Sequence, residues 1–241
     1  MITDPLRAVR QWHACAVAAA AMCVALGSPS ASAAPTEPMG AEYAIRWNAR
    51  DGGPKTGDAA LTALKVRAQR TSLLNVSYYD PPPPPTAPPG FATILRRRVE
   101  GDRDPEFTWK LRGDRALADW TCPLENARQS KMEVDVTFSG ADIVTRTYSY
   151  SCTSMGLHKG MPGLDTGRKS CAAIVKRWEA GRLNVEEWRL PGDVVIIEVS
   201  GKGADTSDAL EDFRRRVAAP LFAAGVVPSA QSKTDLSIRC Q

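Results

Sequence analysis

F-A-T-I-L-R-R-R-V (Phe91–Val99), F-T-W-K-L-R-G (Phe107–Gly113) and S-K-M-E-V-D-V-T-F (Ser130–Phe138) decide how this chain folds. In the second segment Phe107, Trp109 and Leu111 alternate with Thr108, Lys110 and Arg112. In the third, Met132, Val134, Val136 and Phe138 alternate with Lys131, Glu133, Asp135 and Thr137. Successive strand side chains point to opposite faces, so each segment has one apolar face and one charged face. A face that mixes both signs is either an ordinary wet sheet surface or the lining of a polar cavity. Function turns on which of the two it is.

Working outward, Glu42–Trp47 alternates as a first strand and is broken by Asp51-Gly52-Gly53-Pro54. A helix is expected from about Asp58 to Arg70, with Leu61, Leu64 and Ala68 as its apolar stripe and Asp58 as a cap. Leu73–Tyr79 reads as a strand. Pro81–Pro89 holds seven prolines in nine residues, so it is extended, either as a stiff connector or as a ligand for a proline-reading domain. Val144–Cys152 forms a hairpin with the strand before it, with Asp142 in the turn. Ser154–Lys169 is a turn-rich crossing. Leu183–Trp188 and Val194–Ser200 are strands, and Ala172–Trp178 fits a strand or a helix. A final helix over Ser207–Ala224 stacks Leu210, Phe213, Val217 and Leu221, with Pro220 as a kink and Gly225 as a stop. Leu236–Cys240 is expected to close the chain as a strand. So many strands and so few helices predict a mainly β, antiparallel barrel or sandwich.

The N-terminus is set apart from this fold. Arg7 and Arg10 precede an apolar run from Ala14 to Leu26, and Ala31-Ser32-Ala33 offers a small-residue cleavage site. Residues 1–33 therefore read as a secretory signal peptide, too short in its apolar run to span a membrane, and 34–241 as a single domain. The location implied is periplasmic or secreted. Asp4, Arg7 and Arg10 leave with the leader, so the remaining chain carries +3 against +4 for the whole, too mild a charge to imply nucleic acid. Cys122, Cys152, Cys171 and Cys240 remain. An even number in an exported chain points to two disulfides, and four cysteines allow three pairings. Cys122–Cys152 with Cys171–Cys240 is the pairing expected, the second bridge pinning the tail. Zinc is the rival, disfavoured because C-x-x-C is absent and His158 is the one histidine left.

Nucleotide-loop, dinucleotide, zinc-protease and serine-hydrolase motifs are absent from the sequence. What remains is charge on strand faces. Arg96 and Arg98 share a face, as do Lys110 and Arg112, while Glu133 and Asp135 share another and Glu198 projects from a later strand. Guanidinium and ammonium groups suit phosphate oxygens, and paired carboxylates suit a divalent cation that bridges to them.

The order of the motifs resembles the CYTH, or triphosphate tunnel, superfamily, which includes class IV adenylate cyclases, thiamine triphosphatases and inorganic triphosphatases. Tyr78-Tyr79-Asp80-Pro81 looks like its Y-Y-D-T-P segment, Leu95-Arg96-Arg97-Arg98 like its L-R-x-R strand, and Trp109–Gly113 like its W-x-L-K-G strand. Lys131–Asp135 stands where the family has E-x-E, and Ser232-Lys233 is similar to its S-K signature. The resemblance implies an eight-stranded antiparallel tunnel whose lumen takes a phosphate-rich anion through Arg46, Arg96, Arg98, Lys110, Arg112 and Lys233. It implies a metal site of Glu42, Glu133, Asp135 and Glu198.

Two motifs depart from the family, at Ala44, Arg46 and Ser200. Its opening E-x-E-x-K is Glu42-x-Ala44-x-Arg46 here, and its late E-x-E is Glu198-x-Ser200. Losing two carboxylates weakens metal-assisted chemistry more than anion binding. The expectation is therefore an exported domain that binds a phosphorylated or other anionic small molecule without turning it over. The alternatives are a phosphohydrolase using Mg²⁺ or Mn²⁺, and a disulfide-stapled structural domain with no ligand site.

Overall fold

Period-two alternation produces ten strands: β1 (Gly40–Asn48), β2 (Arg70–Asp80), β3 (Ala92–Glu100), β4 (Glu106–Gly113), β5 (Gln129–Phe138), β6 (Val144–Met155), β7 (Arg168–Lys169), β8 (Ala173–Ala180), β9 (Leu183–Leu190) and β10 (Val194–Ala204). The computed structural model describes residues 39–81, 83, 87–118, 120–124, 127–156, 168–169 and 172–238. The expected leader, His158, Cys171 and Cys240 lie outside them. Nine strands close into a barrel in the order β1-β10-β9-β8-β2-β3-β4-β6-β5 and back to β1. β7 pairs outside this ring with Tyr79 and Asp80 at the end of β2. The barrel thus has nine strands rather than eight, and it is mixed: β1 and β5 run parallel. A parallel pair needs a long crossover, and the chain supplies one by building β2, β3 and β4 before β5 returns beside β1.

Barrel strands usually bury their apolar face inward; here much of it faces out and is roofed. Tyr43, Ile45, Trp47, Val134, Val136, Phe138, Ile197 and Val199 form one core beneath α1 (Gly57–Ala63) and the helical segment Ser207–Ala223. Leu95, Phe107, Trp109, Leu111 and Tyr150 form a second, covered by Leu117, Trp120 and Leu124 from the β4–β5 connection. A disulfide between Cys122 and Cys152 staples that connection to β6, as expected. Leu74, Val76, Tyr78, Ile94, Val175, Trp188, Leu190 and Ile196 form a third. They alternate in step with the cavity-lining Arg96, Arg177, Glu186 and Glu198, so this cluster fills one end of the barrel interior.

Three elements differ from the sequence expectation. α1 ends at Ala63 instead of Arg70: Lys65 adopts φ 56°, which halts the helix, and Ala68 lies beyond it. Its cap is Thr56, whose hydroxyl accepts from Ala59 N, while Asp58 sits in the first turn. The final helix is interrupted. α2 (Ser207–Phe213) passes through a widened π-turn (Arg214–Ala218) into α3 (Ala219–Ala223), which carries Pro220. A proline ring collides with the carbonyl four residues earlier in a regular helix, and the wider turn makes room. Finally, Lys233–Ile238 is a helix, α4, and takes in Leu236–Ile238 of the strand expected over Leu236–Cys240, whose last two residues lie outside the described ones. Ser232 and Asp235 form a reciprocal capping box: Asp235 N donates to Ser232 Oγ at 3.1 Å and Ser232 N to Asp235 Oδ2 at 3.3 Å. Ala173–Ala180 is a strand, which settles the strand-or-helix ambiguity there. Among the described residues no helix is long and apolar enough to cross a membrane.

Candidate polyanion site in the barrel lumen

The charged strand faces turn inward. They enclose a cavity of about 1120 Å³, and Glu42, Arg46, Arg96, Arg98, Lys110, Arg112, Asp135, Glu198 and Lys233 all line it. Glu133 is buried in the same wall, where Lys131 Nζ holds both its oxygens at 2.7 Å. Every residue singled out from the sequence for phosphate or metal is therefore in or against one cavity. A wet outer sheet does not describe these faces. Among the described lining residues nine are cationic and seven anionic, so any anion must be held by local geometry rather than by a strong overall field.

On β3 and β4, Arg96 and Arg98 share one carboxylate: Glu106 Oε1 lies 3.3 Å from Arg96 and 2.6 Å from Arg98. Arg96 also donates to Thr108 Oγ1 at 3.0 Å. Burial, followed by the neighbouring Arg96, pulls Arg98 below its ordinary value. Lys110 has no ion-pair or hydrogen-bond partner among the described residues. Burial and then Arg112 push its ammonium down to about 8. Burial works against the Arg112 charge too and is the largest influence, but Asp135, Tyr78, Glu42 and Glu198 together hold the guanidinium above its usual value. Lys110 is the cation that an incoming anion would satisfy.

On the opposite side, α4 inserts Lys233 between two acids. Its Nζ lies 2.7 Å from Glu186 Oε2, 2.8 Å from Glu198 Oε1 and 4.8 Å from the Trp188 ring centroid. Arg46 Nε takes the other oxygen of Glu198 at 2.8 Å, and Trp188 Nε1 donates to Glu186 Oε2 at 2.9 Å. Burial is the largest influence and would raise both carboxyls, but the Lys233 charge combined with hydrogen bonds from Lys233 and Trp188 at Glu186, and with Arg46 at Glu198, holds both below the ordinary range. Sequence reading does not single out Glu186 or Glu106. Each lies on the polar face of its strand, two residues from an inward neighbour, and that alternation is the signal that locates them.

The parallel pairing of β1 with β5 sets Glu42 directly beside Asp135. With Glu133 they bring three carboxylate oxygens within 4.8 Å of one another. Glu198 is committed instead to Arg46 and Lys233. Arg112 Nη2 lies 2.9 Å from Asp135 Oδ2, yet neither Asp135 oxygen is buried with a properly directed hydrogen bond. An all-oxygen cluster in which Asp135 makes an ion pair but no directed hydrogen bond fits a hard divalent cation such as Mg²⁺ or Mn²⁺, with Lys131 already holding Glu133.

No protein-family profile matches the chain, and no curated protein matches it in sequence. Solved structures show distant similarity in fold. The PH1819 protein of Pyrococcus horikoshii OT3 is 11% identical over 80% of this chain and 97% of its own, with a TM-score of 0.44. The PH1012 protein of the same organism is 10% identical over 82% and 99%, with a TM-score of 0.45. A Vibrio parahaemolyticus protein named only provisionally as an adenylate cyclase is 14% identical over 83% and 98%, with a TM-score of 0.44. At these identities the likeness concerns the course of the chain and not its chemistry.

Proposed function

We propose that this protein is an exported, tunnel-like domain that binds a phosphate-rich small anion in its barrel lumen. The observation that carries the reading is Lys110: a cation without a partner among the described residues, enclosed beside Arg112 and on the same wall as Arg96 and Arg98. Drawing an ammonium partly out of water is unfavourable unless an anion compensates it, and Lys110 is half-buried in the cavity wall. Arginine forks suit phosphate oxygens: Arg112 and Arg96 act on that ammonium, and Arg96 and Arg98 share the single carboxylate of Glu106, which leaves one positive charge of that pair over, while Arg112 is paired with Asp135. Lys233 and Arg46 are already neutralised by Glu186 and Glu198, so they serve as wall rather than as the primary grip.

The test is calorimetric titration with tripolyphosphate, with and without Mg²⁺ or Mn²⁺, on the chain lacking residues 1–33. Binding that weakens at least tenfold in Lys110→Met supports the reading, and undiminished binding by that variant removes its basis. A second reading, metal-dependent phosphohydrolysis, is favoured by the Glu42, Glu133 and Asp135 cluster. Those residues would hold the cation, which would neutralise charge at the phosphates. Phosphate release that requires the metal and disappears in Asp135→Asn would establish it.

A further inference from the structure

The lumen is not charged all round. Thr145 on β6 pairs with Thr137 on β5, Thr137 with Ala44 on β1, Ala44 with Ser200 on β10, and Ser200 with Asn184 on β9. All five line the cavity, and they form a continuous neutral belt across five adjacent strands. β6 extends it with Thr147, Ser151 and Thr153, which also line the cavity, and with Ser149 on the same strand face. This belt is more than small side chains lining a wall. Ser200 and Ser151 are 5% and 1% exposed and both line the cavity, yet neither hydroxyl takes part in a hydrogen bond with the described residues. Ser149 Oγ is buried and likewise lacks a partner. The Ser151 and Ser200 hydroxyls thus make no hydrogen bond with the described residues while their side chains line the cavity, which leaves them available to pair with hydroxyls of a ligand held there.

Aromatic surface in the lumen is scarce. Tyr78 is the one aromatic among the described lining residues; it stacks on Trp188 at 6.0 Å, and Trp188 also carries Lys233. Among the described lining residues a nucleobase would find no ring other than this already stacked one. The cavity, at about 1120 Å³, is at the upper end of sites that enclose whole small molecules. We infer that the ligand is a phosphate ester of a polyol, of the sugar-phosphate class, with its phosphates toward Arg96, Arg98, Lys110 and Arg112 and its hydroxyls against the belt. This rests on the anion-binding reading above and names the neutral half of the ligand.

The probes are fructose 1,6-bisphosphate, pyrophosphate and ATP, titrated calorimetrically into the wild-type chain and into Thr137→Val and Thr145→Val. Both substitutions keep the side-chain shape and remove one hydroxyl each; Thr145 is exposed enough for its variant to fold. The sugar bisphosphate is expected to bind about tenfold or more tighter than pyrophosphate, and the variants to bring that ratio down toward one. Equal or tighter binding of pyrophosphate, a preference for ATP, or an unchanged ratio in both variants overturns the inference while leaving anion binding intact. If none of the three binds, the anion-binding reading fails, and this one with it.

Discussion

Ala44 on β1 stands directly opposite Ser200 on β10. These are the two positions at which the sequence departs from the carboxylate pattern it otherwise resembles, and they are cross-strand partners. The two departures therefore change one place in the lumen rather than two. Glu42 and Glu198 flank that place and keep their charge, one beside Asp135 and the other on Arg46.

Restoring both acids tests whether the lumen can still use them. In Ala44→Glu with Ser200→Glu, like charges face each other across adjacent strands, which destabilises by about 1 kcal/mol or more. A divalent cation would relieve the repulsion. The expected result is a melting temperature lowered in chelator and raised again by Mn²⁺, beyond any Mn²⁺ shift of the wild type. A melting temperature indifferent to Mn²⁺ would mean that these strands cannot present acids to a shared ion.

Lys110 gives opposite pH dependences for stability and for binding. Its folded pKa, about 8, lies below the ordinary 10.5, so the unfolded chain holds this proton more tightly. Stability from this group therefore rises with pH between about 8 and 10.5. An anion prefers the charged ammonium, so affinity for tripolyphosphate falls over the same window. Chemical denaturation and calorimetry at pH 7, 9 and 10 read the two trends separately, and Lys110→Met should flatten both. Parallel trends would place the relevant titration on another group.

The Cys122–Cys152 bridge closes a sequence separation of 30 residues and ties the β4–β5 connection over Trp109 and Tyr150. On chain-entropy grounds its loss costs about 3–4 kcal/mol. Cys152→Ala with Cys122→Ala should lower the denaturation midpoint accordingly. It should also expose Trp120, which stacks on Trp109 at 6.3 Å, visible as a red-shifted fluorescence. An unshifted midpoint would show that the loop is held by its aromatic contacts alone.

Alternation made the strands and both faces of β4 and β5 readable, because a period of two is a local property. Which face looks inward is not local. It depends on helices arriving from residues 57–63 and 207–223 to roof the apolar side. The β1–β5 pairing joins Glu42 to Asp135 across more than ninety residues, and neither strand's sequence announces it. The sequence predicts a longer α1 because its apolar stripe continues past Lys65, whose left-handed backbone ends the helix. The tail looked like a strand because Leu236-Ser237-Ile238 alternates. The Ser232 and Asp235 capping box just before it was the stronger signal, and it brought Lys233 into the lumen.

Lys233 is the cation that keeps Glu186 and Glu198 ionised together. Its ammonium touches both, and both carboxyls sit below their ordinary range, near 4.5, on its account. A carboxyl with a depressed folded pKa contributes stability above its unfolded value and loses it as pH falls through the folded one. Lys233→Met removes the charge and keeps much of the packing on Trp188. Two acids then share the site with Arg46 alone, and breaking such a buried pair costs about 3 kcal/mol, the low end of the usual range because Arg46 stays on Glu198. The loss should be largest near pH 7.5 and shrink toward pH 5, since one carboxyl can then take up a proton and end the repulsion. Urea titration at the two pH values measures the difference. A loss of the same size at both would assign Lys233 to packing on the indole, and the ion cluster would carry no stability of its own.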